Sequence, residues 1–130
     1  MIGLDTNVLV RFIMQDDPVQ SEQAGRVMAG LTAARPGYVS SVTMVELWWV
    51  LGRSYGRTQS ERCDLFDALV DSHDLLMGDA SSVRAALVQA RRGADFADGL
   101  ITTLSQAAGC VETLTFDRNA VRRAGMTLVR

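Results

Sequence analysis

Lysine is absent from this chain: all thirteen basic residues are arginine, set against fifteen Asp and Glu. Mechanisms that need a lysine are therefore closed to it, whether a Schiff base, a P-loop or a receiver-type phosphate sensor. Histidine occurs once, as His73 in the polar stretch Asp-Ser-His-Asp, which reads as a turn or strand entry. The two cysteines, Cys63 and Cys110, stand alone and match no metal-ligand spacing, so reduced, partly buried thiols are expected. No apolar run approaches the ~20 residues that span a bilayer. The opening MIGLDTNVLV has no basic leader ahead of an apolar stretch, so a cytoplasmic protein without membrane contact is expected. A formal net charge of −2 excludes a clamp that holds nucleic acid through overall basic charge.

What is present suits one domain over residues 1–130, 48% apolar and 22% charged, large enough for a core and too small for two. Short β-leaning apolar runs at 1–5, 38–40, 73–77, 111–115 and 127–129 are expected strands. Helices are expected at 6–13, 16–31, 42–55, 58–70, 81–92, 95–108 and 119–124. Their start signals are Thr6 or Asn7, Asp16-Asp17-Pro18, Ser41, the capping box Thr58-Gln59-Ser60-Glu61, Asp79 and Asp95. The alternation predicts an α/β fold: a three-layer α/β/α domain around a central, mostly parallel sheet of about five strands. Ligands of such sheets bind beyond the carboxyl ends of the strands.

Four acids sit inside or at the end of apolar runs: Asp5, Glu46, Asp98 and Asp117. Each has a plain alternative. Asp5 can cap the following helix, although Thr6 and Asn7 can do so and leave its carboxylate free. Glu46 shares a helical stripe with Val42, Val45, Trp49 and Val50, where a salt bridge to an arginine would satisfy it. Asp95 and Asp98 suit a helix start through the dipole, and Asp117 can cap the last helix. Together they carry more weight. Carboxylates gathered near 4 Å repel by roughly 4 kcal/mol per pair at an effective dielectric of about 20. A divalent cation relieves that repulsion, and oxygen ligands suit Mg²⁺ or Mn²⁺.

The segments Asp-Thr-Asn (5–7), Val-Glu-Leu (45–47), Ala-Asp-Gly-Leu-Ile (97–101) and Leu-Thr-Phe-Asp-Arg (114–118) resemble a PIN domain, nearly end to end. More narrowly they resemble a VapC-type toxin ribonuclease of a type II toxin–antitoxin system. The resemblance implies that Asp5, Glu46, Asp98 and Asp117 are the catalytic quartet binding Mg²⁺ or Mn²⁺, with Asp5 and Asp98 as direct ligands. Thr6 and Thr115 match supporting hydroxyls, and Asp95 is a cap or supporting group. Gly99 stands where many relatives carry alanine, a departure that loosens the helix. Asn119 stands where some place a further acid.

By the same resemblance, the activity is endonucleolytic hydrolysis of RNA by metal-activated water, leaving a 5′-phosphate and a 3′-hydroxyl. Arg11, Arg91, Arg92 and Arg118 are the candidate RNA contacts, with Arg122 and Arg123 also close in sequence to the acids. The implied partners are a VapB-like antitoxin and a second copy of the chain, giving a homodimer and a heterotetramer or larger with antitoxin. The stripe Met44, Leu47, Trp48, Leu51 and Tyr55 is a candidate surface for either, with core burial as the alternative. Rival readings remain within the family: an RNA-processing nuclease without antitoxin, or an inactive binding protein, which the complete quartet disfavours. A receiver domain needs a lysine this chain lacks, and a dehalogenase-like phosphatase wants Asp-x-Asp where Asp5-Thr6-Asn7 stands.

Overall fold

Strand and helix alternate as expected in the structure, a computed structural model that describes residues 1–130. The order is β1 (Ile2–Gly3), α1 (Thr6–Met14), α2 (Pro18–Ala29), β2 (Gly37–Val39), α3 (Ser41–Arg53) and α4 (Gln59–Asp71). There follow β3 (Leu75–Met77), α5 (Ala80–Arg91), α6 (Phe96–Ala107), β4 (Leu114–Thr115), α7 (Arg118–Ala124) and β5 (Thr127–Leu128). Local chemistry sets most helix starts. Asp17 accepts from the backbone of Val19 and Gln20 with Pro18 in the first turn, and Thr58 and Glu61 form the reciprocal capping box. Three starts differ from expectation. Asp5, not Thr6 or Asn7, caps α1. Ser40, not Ser41, caps α3 by accepting from Thr43 N. Asp79 sits in left-handed backbone at φ 51° and makes no cap bond; its Oδ2 instead accepts from Ser41 Oγ at 3.0 Å.

Every strand pairing is parallel. Ile2 pairs with Gly37 and Gly37 with Leu75 in the sheet β1-β2-β3, while Leu114 pairs with Thr127 in a separate β4-β5 ladder. The strands thus match expectation in number and direction and divide into three and two. They are also shorter than the apolar runs that announced them. Val111 is 100% exposed and lies outside any ladder, because apolar content favours extension but only a partner's backbone makes a strand. Gly37 keeps the central strand close to its neighbours: a Cβ there would stand 2.7 Å from Leu4 Cδ1 and 2.9 Å from Leu31 Cδ1, so both side chains would have to shift. Parallel strands share one carboxyl edge, so Asp5, Ser40 and Asp79, which follow β1, β2 and β3, lie along it. The fold is α/β, in the three-layer α/β/α arrangement.

A core cluster of 21 residues joins the sheet to α1, α3, α4, α5 and α6. Its centre is aromatic. Trp48 on α3 meets Phe66 on α4 edge-on at 5.3 Å and Phe96 on α6 at 5.3 Å, and the two phenylalanines meet edge-on at 5.2 Å. This cluster decides which stripe of α3 faces inward. Met44, Leu47, Trp48 and Leu51 are all buried, so the stripe offered as a partner surface is core. The stripe grouped with the core is the open one, with Val42 67% and Trp49 44% exposed. Gly99 also has a packing role beyond helix propensity, because a Cβ would meet Gln89 Oε1 of α5 at 3.0 Å. No helix is long and apolar enough to cross a membrane.

Candidate metal and phosphate site

Asp5 stands one residue beyond β1, after Leu4, and adopts extended backbone (φ −83°, ψ 161°), which turns its side chain onto the start of α1. Its Oδ1 accepts from Thr6 N at 2.7 Å, so Asp5 itself caps α1 and Thr6 and Asn7 do not. The second carboxylate oxygen carries no hydrogen bond within the protein. A carboxylate offers about four lone-pair sites, so capping and cation binding are compatible. Thr6 beside it is buried, and its Oγ1 has no hydrogen-bond partner. A buried hydroxyl left unpaired costs free energy unless something beyond the chain satisfies it.

Glu46 projects from α3 into the same place. A cavity of about 350 Å³ is lined by Asp5, Thr6, Asn7, Arg11, Glu46 and Tyr55, among others. Glu46 makes no ion pair; it is exposed on a helix otherwise mostly apolar. Asp98 stands at the third position of α6, half-buried, with its backbone N donating to the capping Asp95 Oδ1 at 3.1 Å. Burial first, then the charges of Asp95 and Asp117, raise the Asp98 carboxyl above its ordinary value. Asp117 caps α7 through Oδ1, which accepts from Asn119 and Ala120, while its own N donates to Thr115 Oγ1 at 3.0 Å. Asp5 and Glu46 thus line one cavity, while Asp98 feels the charges of Asp95 and Asp117. No three carboxylate, thiol or imidazole side chains stand close enough to share one ion.

The six ion pairs use Asp16, Glu22, Glu61, Asp71, Asp64 and Asp67, and none of the quartet. The quartet offers only oxygens, none of them held in an ion pair, which fits a hard divalent ion in kind. Of the arginines, Arg11 lines the Asp5–Glu46 cavity. Arg91 is turned away to α4, where Asp64 at 2.7 Å and Asp67 at 2.6 Å hold it and raise its pKa. Arg92 and Arg118 are exposed and make no ion pair; Arg118 follows Asp117 directly. Arg122 hydrogen-bonds Asn119 on its own helix. His73 is exposed ahead of β3, Cys63 is buried and Cys110 exposed.

Sequence reasoning missed Asp16 and Tyr55. Tyr55 OH donates to Asp16 Oδ2 at 2.6 Å, and Arg11 Nη1 donates to Asp16 Oδ1 at 3.0 Å and to Tyr55 OH at 3.3 Å. One signal was present: Asp17 suffices to cap α2, which leaves the adjacent Asp16 surplus.

In a parallel α/β domain the carboxyl edge of the sheet is where ligands bind, and Asp5 stands there free of any ion pair. The family model described as PIN domain matches residues 2–126, and the chain belongs to that family. PIN domains are generally nucleases, hydrolases that typically use divalent metals. Comparison with curated proteins and with solved structures gave no match.

Proposed function

We propose that the chain is a Mg²⁺- or Mn²⁺-dependent endoribonuclease acting as the toxin of a VapBC-type toxin–antitoxin pair. The observation that carries the metal reading is the free state of the quartet: every ion pair in the protein is made by other acids. Asp98 carries the sharpest mark, since burial and two neighbouring carboxylates work against its ionisation. A divalent ion bound there supplies charge neutralisation and lowers the pKa of bound water. The chain's own contribution is placement. Thr6 N fixes one oxygen of Asp5 and leaves the other available. The backbone of Asn119 and Ala120 does the same for Asp117. The aromatic joint between α3 and α6 sets Glu46, two residues from Trp48, relative to Asp98, two residues from Phe96. In this reading all four acids serve one phosphodiester, whose hydrolysis consumes one water and leaves a 5′-phosphate and a 3′-hydroxyl. None of the four acids acts as nucleophile.

The toxin reading brings an antitoxin and a homodimer with it. The apolar groove between α3 and α6, lined by Val42, Val45, Trp49, Leu100 and Ile101, is assigned to a second copy of the chain. It offers no charged side chain for a polar partner to complement, and apolar surface of this kind is covered in a homodimer interface. The test is incubation of purified, antitoxin-free protein with total RNA and Mg²⁺ or Mn²⁺, with cleavage ends mapped and Asp5→Ala and Asp98→Ala as controls. Cleavage that persists in both variants, or under excess EDTA, defeats the site. An adjacent reading frame for a small protein that co-purifies and inhibits supports the toxin over a processing nuclease.

A further inference from the structure

Arg11 stands where two clefts meet. One is the acidic cavity with Asp5 and Glu46; the other, about 250 Å³ between α1 and α2, is lined by Gln20, Gln23 and their apolar neighbours. Asn7 and Arg11 line both, and so form the partition between them. The guanidinium is held from three sides. Its Nε donates to Gln20 Oε1 at 2.8 Å, and its Nη1 donates to Asp16 and to Tyr55 OH. Nη2 makes no hydrogen bond within the protein, so one arm of the fork is left to act on something else. Tyr55, on the loop after α3, reaches Asp16 on the α1–α2 turn across 39 residues of chain. Its hydroxyl, ahead of all other influences, holds the Asp16 carboxyl below its ordinary range. Asp16 is thus fixed as the anionic anchor for Arg11. A surface ion pair of this exposure does little for stability, yet here a buried-edge tyrosine and a glutamine are spent on its geometry.

We propose that Arg11 binds the RNA phosphate next to the one cleaved, with Asp16 and Tyr55 as positioning residues that aim its guanidinium. The strand then runs from the acidic cavity over the Asn7–Arg11 partition into the α1–α2 cleft. An acidic protein can hold a polyanion only through such local, pre-aimed cations, and a guanidinium fork suits a phosphate better than a flexible ammonium. The inference rests on the ribonuclease reading of the cavity.

The test compares wild type, Arg11→Gln, Arg11→Lys and Tyr55→Phe by two readouts. The first is fluorescence anisotropy with a labelled single-stranded RNA in EDTA, over a series of salt concentrations. The second is steady-state cleavage with Mn²⁺. Arg11→Gln should weaken binding roughly tenfold or more. Its log Kd against log salt slope should fall by about 0.7, the loss of one phosphate contact on a single strand. In cleavage, KM should rise by a like factor with kcat nearly unchanged. Arg11→Lys should keep the salt slope while recovering only part of the affinity, and Tyr55→Phe should raise KM a few-fold with the slope intact. A purely structural tie lowers the melting temperature without moving the slope. RNA binding whose strength and slope ignore Arg11 overturns the proposal, as does a loss of kcat at constant KM. If wild type binds RNA through Arg11 but cleaves none, the ribonuclease reading fails and the phosphate contact stands.

Discussion

Phe66 belongs to α4, which carries none of the four acids, yet it bridges the two helices that carry Glu46 and Asp98. It touches Trp48 and Phe96 edge-on at 5.3 and 5.2 Å and has no exposed surface. Truncation to alanine would cost about 3–5 kcal/mol, much of a total stability of about 5–15 kcal/mol, so leucine is the better probe. Phe66→Leu keeps most of the volume, at a packing cost below about 1.5 kcal/mol. It loses two aromatic pairs at about 0.5–1.5 kcal/mol each, and Phe96→Leu loses the same number. The pair shared by the two residues is lost once in the double variant and counted twice in the sum of the singles. Urea unfolding of wild type, both singles and the double should therefore show non-additivity of about 0.5–1.5 kcal/mol, with the denaturant slope unchanged. Additivity within about 0.3 kcal/mol would falsify the Phe66–Phe96 pair as the contact that ties α4 to α6 within the aromatic cluster.

Other outcomes follow from the same geometry. The Asp98 carboxyl is raised above its ordinary 3.8, so the folded state holds that proton more tightly than the unfolded one. Its contribution to stability is therefore fully present below the unfolded value and lost as pH rises through the raised native value. Asp98→Asn should thus melt higher than wild type at pH 7 in EDTA, an advantage that fades toward pH 3.8; a lower melting temperature at pH 7 contradicts the cause assigned. Gly37→Ala should cost about 1–3 kcal/mol by chemical denaturation, because Leu4, Leu31 and Leu75 must all move for the new methyl. A neutral effect would mean the strand has room the structure denies it. Ile101→Glu, at a residue 51% exposed on the α3–α6 groove, should convert a dimer to monomer in light scattering with little change in monomer stability. A wild type that is monomeric at high concentration removes the groove's assignment.

Local signals were legible in the sequence, and contacts distant along the chain were not. Asp17-Pro18 and the Thr58–Glu61 box are read within four residues, and both helices start where they indicate. Which face of α3 turns inward could not be read the same way, because that helix is apolar nearly all round and Phe66 and Phe96 choose the face from elsewhere. Strand lengths failed for a related reason: Val111 and Glu112, ahead of β4, have no ladder partner, and propensity alone does not hold them in a strand. The candidate acids were found because a carboxylate is conspicuous in an apolar run. That Asp5 caps its own helix was less visible, since Thr6 and Asn7 are equally good caps on paper. Asp79 shows the limit of cap chemistry, taking the cap position in a left-handed backbone that points its carboxylate to Ser41. For the Asp16–Tyr55 bond the only local sign is an Asp16 left over beside the capping Asp17; its partner, 39 residues on, has none.

Cation binding by the quartet is tested most directly by titrating Mn²⁺ into metal-free protein and following the free ion by electron paramagnetic resonance, for wild type, Asp5→Asn, Asp98→Asn and Asp79→Asn. Saturable binding in wild type and in Asp79→Asn, lost or greatly weakened in Asp5→Asn and Asp98→Asn, is the expected result. Unchanged binding in both of those variants, or none in wild type, would show that Asp5 is a helix cap and Asp98 a first-turn acid and nothing more.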